Sequence, residues 1–318
     1  MTASPPTIVA GGARKGPDLR QLIRTLGREK YLHAMMLLPM LYFLVFYYAP
    51  MYGITLAFKD FDFAKGIMGS PWVGLRYFRE FFADPYSYKL IVNTLVLRTL
   101  YLTIAFPIPV ILAILLNEIR HERFKRFVQS ASYLPHFISL VVVSGMIIQF
   151  LSMDGFVNQI IKSMGGKAYP WMLDPKWFRP IWLVSIIWQE TGWASIIFLA
   201  ALTAINPELY EAALVDGANR WQRLIYITLP GIAPTVTIMF LLNVGRMLTV
   251  DYQRILLIYT GATYEVADVL GTYVYRRGIL AADFSYATAV GVFQAAVGLV
   301  FLVGANTIAK RIGETSLF

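Results

Sequence analysis

Six stretches of the chain are apolar for long enough to cross a bilayer, and no other feature limits its fold as severely. A helix rises about 1.5 Å per residue and the hydrocarbon core is ~30 Å thick, so a crossing takes ~20 consecutive, mostly apolar residues. The runs are Tyr31–Phe58, Leu90–Asn117, Phe127–Met153, Pro180–Ile205, Leu224–Val250 and Phe284–Ala309. Three of them hold no Asp, Glu, Lys or Arg; the others hold one each, Arg98, Glu190 and Arg246. Strands of a membrane barrel would alternate in segments of about 10 residues, which these runs do not. Only 15% of the residues are charged, against roughly 25% in soluble domains. The expected fold is an all-α integral membrane protein, a bundle of six transmembrane helices.

The segments between the runs set topology. Residues 1–30 are polar and basic, with Pro5, Gly11, Gly12 and Pro17, and carry neither the hydrophobic region nor the cleavage site of a signal peptide. They read as a cytoplasmic N-terminal tail, with the membrane domain over 31–318. Arg120, Arg123, Lys125 and Arg126 crowd the short connection after the second run, where basic residues favour the cytoplasmic side most strongly. Both termini are therefore expected inside. The net charge of +9 is assigned to topology rather than to nucleic acid. With no cysteine, and with His33, His121 and His136 at no metal-ligating spacing, neither a disulfide nor a metal site is expected. Pro230 and Pro234 are expected to break the fifth run near its start.

Between the fourth and fifth runs lies a short segment with strong helix signals. Asn206 suits an N-cap, Pro207 the first helical position, and Glu208 and Glu211 the positive end of the helix dipole. Asp216-Gly217 supplies a turn in which the backbone bends or takes positive φ, and a second short helix follows. The expected unit is an exposed helix–turn–helix at about 207–224.

That segment resembles the coupling loop of binding-protein-dependent ABC importer permeases (type I importers). Glu211, Ala212, Ala213, Gly217, Ile227, Leu229 and Pro230 occupy every fixed position of the family pattern. Tyr133–Ser139, Ala267–Arg276 and Phe284–Gly291 are similar to the branch that handles oligo- and polysaccharides. The resemblance implies a permease subunit of a carbohydrate importer in the prokaryotic cytoplasmic (inner) membrane. The implied partners are a second homologous permease, two ATPase subunits, an extracytoplasmic substrate-binding protein and membrane lipid. It also implies that Glu211 contacts an ATPase, that Ala212 and Ala213 allow close approach, and that Asp216-Gly217 turns the chain within the docking cleft ahead of Leu229-Pro230. The chain lacks the Gly-x4-Gly-Lys-Ser/Thr of a P-loop, Gly166-Lys167 being followed by Ala168. ATP and magnesium are thus expected on the partner ATPase, with no cofactor and no catalytic site on this chain.

Ionisable groups within a span are costly and are functional candidates by default. Arg98 could snorkel or pair within the chain, or face cargo. Glu190 sits among Trp188, Gln189 and Trp193, the mix of aromatic faces and hydrogen-bonding groups that binds saccharides or packs at a membrane interface. Asn243 and Arg246 lie three apart, and Gln149 sits late in the third run. These seven, Arg98, Gln149, Trp188, Glu190, Trp193, Asn243 and Arg246, are the candidate cargo-pathway residues. Two intramembrane arginines would suit an acidic sugar, unless Glu190 neutralises one. Glu190 alone could serve an ion-gradient-driven transporter of a polar solute, the alternative reading. Ala287, Gly291, Ala295, Gly298 and Gly304 in the sixth run are read as helix-packing residues.

Overall fold

A computed structural model describes residues 30–312; the tail of residues 1–30 lies almost wholly outside them. Six helical stretches are long and apolar enough to cross a membrane: Tyr31–Phe58, Pro85–Glu118, Leu140–Ser163, Pro175–Thr203, Arg220–Val244 and Phe284–Arg311. Among the described residues the only β pairing is one isolated bridge, Lys59 with Trp72. The expected six-helix bundle holds.

The chain divides into two compact units, Met1–Ile54 and Thr55–Phe318. In the first, every residue from Tyr31 to Tyr52 is exposed, and apolar side chains point to all sides of the helix. That is the pattern of a helix whose solvent is hydrocarbon.

Three apolar clusters hold the second unit. Trp182, Ile186 and Phe178 of the fourth span pack on Ile255, Ile258 and Val269, which follow the fifth. Phe81, Leu90, Leu270, Tyr286 and Val290 form another. Phe106, Ala113, Phe198, Leu202 and Ile232 bring together the second, fourth and fifth spans. Lipid is as apolar as these side chains, so close packing and interhelical hydrogen bonds, rather than expulsion from water, hold such clusters together.

The polar counterpart is Asp268, which is 1% exposed. Its carboxylate accepts from both terminal nitrogens of Arg276 at 2.7 and 2.6 Å, from Tyr86 at 2.6 Å and from Thr272 at 2.6 Å. The pair with Asp268 pushes the Arg276 guanidinium above its ordinary pKa, so it remains charged. Loss of Arg276 would leave the buried carboxylate without its charge partner, at a cost of ~3–5 kcal/mol. Asn93 donates to the carbonyls of Glu265 and Asp268, and the backbone N–H of Leu270 donates to Thr94, so the second span is tied to the same segment.

Two boundaries differ from expectation. The third run is not one helix: Glu122–Tyr133 and the turn Leu134–Phe137 come first, and the span begins at Leu140. Pro135 supplies no N–H, the backbone turns extended at Ile138, and Ser139 restarts the helix by accepting from the N–H of Val142. The fifth run, by contrast, is not broken by its prolines. A π-turn at Leu224–Thr228 runs directly into Leu229–Val244, which contains Pro234, and Pro230 sits in its first turn. Five-residue spacing ahead of Pro230 lets the ladder pass its missing donor.

The small-residue stripe of the sixth span is used only in part. Gly278 faces Ala287 so closely that a Cβ would lie 2.5 Å from that of Ala287, and Gly298 meets the Gly245 carbonyl at a similar distance. Gly291 and Gly304 have open space beside them, and Ala295 is exposed.

Candidate functional site

Two places gather the candidate residues. The first is a cavity of about 180 Å3 inside the second unit. Arg98 and Tyr101 reach it from the second span, Trp182, Ile186 and Glu190 from the fourth, and Asn243 from the fifth. Positions 182, 186 and 190 recur at four-residue spacing and so share one helix face. Arg246, Asp251 and Arg254 close it from the segment after the fifth span.

The carboxylates of this cavity are already engaged. Glu190 Oε2 lies 2.9 Å from His136 Nδ1, and its Oε1 lies 4.0 Å from Arg254 Nη2. Arg254 is 3% exposed and donates to Gln189 Oε1 at 2.8 Å, Ser185 Oγ at 3.4 Å and Asp251 Oδ2 at 3.3 Å. Asp251 also accepts from the backbone N–H of Arg254, capping the helix Tyr252–Ile258.

Arg98 and Arg246 are different. Arg98, 9% exposed, donates to the backbone and side-chain oxygens of Asn243 at 2.9 and 2.8 Å, and lies 4.6 Å from the Tyr101 ring centre. Asn243 is held in turn by donating to Met239 O at 2.9 Å. The Nε of Arg98 is buried without a partner. Among the described residues no carboxylate pairs with Arg98 or with Arg246, whose side chain is exposed. The cavity thus carries three guanidiniums and two carboxylates, with Glu190 engaged by His136 and, at longer range, Arg254, and Asp251 by Arg254. Such a lining favours an anion.

Four of the seven pathway candidates, Arg98, Glu190, Asn243 and Arg246, therefore meet at one cavity. The other three do not line it. Gln149 is exposed near the end of Leu140–Leu151. Trp188 borders a separate apolar groove with Met146, Phe150 and Val184. Trp193 stacks on His136 at 4.6 Å and 2°. Asp251 and Arg254 line the cavity without having been singled out, because they lie just past the fifth apolar run, where charge is ordinary. The signal present was Asp-x-x-Arg, an N-cap with a basic partner one turn on.

The second place is the connection between the fourth and fifth spans. Pro207–Val215 is a helix capped by Asn206, whose side chain accepts from the N–H of Glu208. Gly217 has φ +75°, the left-handed conformation that glycine adopts without strain. Asn219 then caps Arg220–Arg223 in a reciprocal capping box with Gln222. Glu211, Ala212, Asp216 and Gly217 are exposed and Ala213 half-buried, while Leu229 and Pro230 form the first turn of the helix that continues the fifth span. Leu209, Leu214, Val215 and Trp221 are also exposed, Val215 at 88%. The hairpin joining the two spans thus presents a carboxylate amid exposed apolar side chains.

The chain is similar to known proteins along nearly its whole length. It is 43% identical over 317 residues to the polygalacturonan/rhamnogalacturonan transport system permease protein YteP of Bacillus subtilis, covering 99% of this chain and 98% of that one. Protein LplB of the same organism is 42% identical over 294 residues, 92% of each chain. Among solved structures, a chain of a bacterial ABC transporter involved in the import of the acidic polysaccharide alginate superposes with a TM-score of 0.84 at 42% identity, over 92% of this chain and 99% of that one. The same kind of transporter, solved in complex with its alginate pentasaccharide-bound periplasmic protein, gives a TM-score of 0.85 at 41% identity, over 93% and 100%. Residues 81–314 match the family model described as binding-protein-dependent transport system inner membrane component, and with six bilayer-length helices in place the chain belongs to that family.

Proposed function

We propose that this chain is the permease subunit of an ATP-driven importer of oligo- or polysaccharides, and that its cargo is acidic. The observation that carries the cargo class is the cavity at which Arg98 and Arg246 stand without carboxylate partners. An uncompensated guanidinium at membrane depth costs a few kcal/mol, and a uronate carboxylate supplies the missing charge in the bidentate geometry that arginine favours. The names of the relatives, polygalacturonan/rhamnogalacturonan and alginate, are those of acidic polysaccharides and support the same class.

The energy comes from outside the chain. The Pro207–Arg223 hairpin offers Glu211 and its apolar neighbours to an ATPase, which holds the ATP and magnesium. Closure of two such ATPases moves the fourth and fifth spans and opens alternate faces. The full assembly is this chain, a second homologous permease, two ATPase subunits and one extracytoplasmic binding protein, in a prokaryotic cytoplasmic membrane with both termini inside. Substrate positioning, and no bond chemistry, is this chain's task.

Uptake into vesicles carrying the reconstituted assembly tests the reading, with uronate oligomers and neutral xylose oligomers of equal length as probes. The expected result is ATP-dependent uptake that favours the uronates. Uptake abolished by an uncoupler but indifferent to ATP would overturn the energy source, and a preference for the neutral oligomer would overturn the cargo class.

A further inference from the structure

The coupling hairpin is joined to the fifth span by two routes. The covalent route runs through Asp216, Gly217 and Ala218, and at Gly217 the backbone adopts a conformation with few side-chain constraints, so it is a soft joint. The second route is a side-chain contact. Tyr210, which precedes Glu211 on the Pro207–Val215 helix, has its hydroxyl 3.0 Å from Thr228 Oγ1. Thr228 is 4% exposed and closes the π-turn Leu224–Thr228, and its hydroxyl donates to Arg223 O at 3.4 Å. At 3.0 Å either hydroxyl can donate to the other.

The region around this contact is tightly built. A side chain at Gly231 would place its Cβ 2.6 Å from Cδ1 of Ile205, so the first turn of the helix after the π-turn rests on the end of the fourth span. A π-turn is a local insertion that interrupts the regular helical ladder and is found frequently at functional sites, so it is a place where a helix can yield. A push on the Glu211 helix is therefore lost in two compliant places, the glycine joint and the π-turn, unless a contact bypasses the first and braces the second. Tyr210–Thr228 does both.

We propose that Tyr210 and Thr228 form a transmission clip. They are positioning residues that make the ATPase-docking helix and the base of the fifth span move as one body, and so set how much cargo moves per ATP hydrolysed. The proposal rests on the coupling role given to the hairpin above. It concerns what happens after docking, whereas that role concerns docking itself.

The test is made on the complete assembly in vesicles, with a uronate trimer as probe and with ATP hydrolysis and uptake measured together. Loss of one neutral hydrogen bond shifts a two-state equilibrium by roughly two- to ten-fold. Tyr210→Phe and Thr228→Val should each retain the ATPase through purification and keep hydrolysing ATP, while uptake per ATP falls by about that factor. Thr228→Ser, which keeps the hydroxyl, should restore the ratio. A wild-type ratio in Tyr210→Phe would overturn the clip, as would equal falls in hydrolysis and uptake, or a Thr228→Ser variant as poor as Thr228→Val. Tyr210 is half-buried and its substitution removes a single oxygen, so it reports even if the buried Thr228→Val folds poorly. If instead the coupling role is wrong, Glu211→Ala will retain the ATPase and transport normally, whereas failure of the clip alone leaves Glu211→Ala defective and Tyr210→Phe normal.

Discussion

Arg98 and Arg246 face one cavity but differ in what holds them. Arg98 is anchored to Asn243 and largely buried, so its replacement disturbs the second and fifth spans as well as any cargo. Arg246 is exposed and has no carboxylate partner among the described residues, so its charge is available to a ligand. A charge-assisted hydrogen bond contributes ~1.5–3 kcal/mol, and about 1.4 kcal/mol is tenfold in affinity. Arg246→Gln should therefore raise the KM for a uronate oligomer by roughly ten- to a hundred-fold with thermal stability unchanged, and leave handling of any neutral sugar alone. An unchanged KM would remove Arg246 from the pathway. The contrast also shows what single residues disclose. An ionisable group inside an apolar run is conspicuous, which is why Arg98, Glu190 and Arg246 were legible in the sequence. Arg254 was not, although it is the most buried cation of the cavity, because the chain folds back into the protein after the fifth span and no periodicity announces such a return.

The hairpin Pro207–Arg223 was legible as an element, first cap and turn included, because Asn206, Pro207 and Gly217 each act within one turn of themselves; the Asn219–Gln222 box, equally local, went unread. The third and fifth spans were less legible. Apolarity measures what a segment contacts, not where its ladder breaks, so it carried Phe127–Met153 through the extended residues beside Pro135. Proline content erred in the other direction, since a π-turn absorbs Pro230 and a break was expected there. For the hairpin the expectations are sharp. Glu211 is exposed, so Glu211→Ala should hardly change folding stability, yet weaken ATPase association by on the order of ten- to a hundred-fold. Gly217→Val acts through the backbone: a Cβ there meets nothing within 4 Å, so the whole cost is the left-handed φ, about 1–3 kcal/mol. Asn tolerates that conformation better, so Gly217→Asn should recover most of what Gly217→Val loses. Co-purification of the ATPase with each variant measures this, and equal retention by Gly217→Val and wild type would mean that the turn does not shape the docking surface.

At the scale of the molecule, six crossings put alternate connections on opposite sides of the membrane, so one correctly placed segment orients all the others. The connection between the second and third spans carries Arg120, Arg123, Lys125 and Arg126, while the Pro207–Arg223 hairpin lies two crossings further on and hence on the same side. ATP is cytoplasmic, so the basic cluster and the coupling role proposed for the hairpin make the same demand independently, one by charge retention and the other by partner access. In the proposed orientation the connection between the first and second spans faces outward, along with the Asp268–Arg276 segment between the fifth and sixth. That outward connection is folded rather than loose: Lys59 donates to the carbonyls of Ile67 and Met68, and Tyr77 donates to Asp60, where burial and the Asp60 carboxylate push its phenol up to about 12. Because the chain has no cysteine, single thiols can report each side without background. Lys65 and Glu122 are suitable positions, both exposed and both outside the cavity and the hairpin. In intact cells a membrane-impermeant thiol reagent should label Lys65→Cys and spare Glu122→Cys, which should react only after the membrane is opened. The reverse pattern would place the hairpin outside, away from ATP, and the coupling role of Glu211 would fall with it.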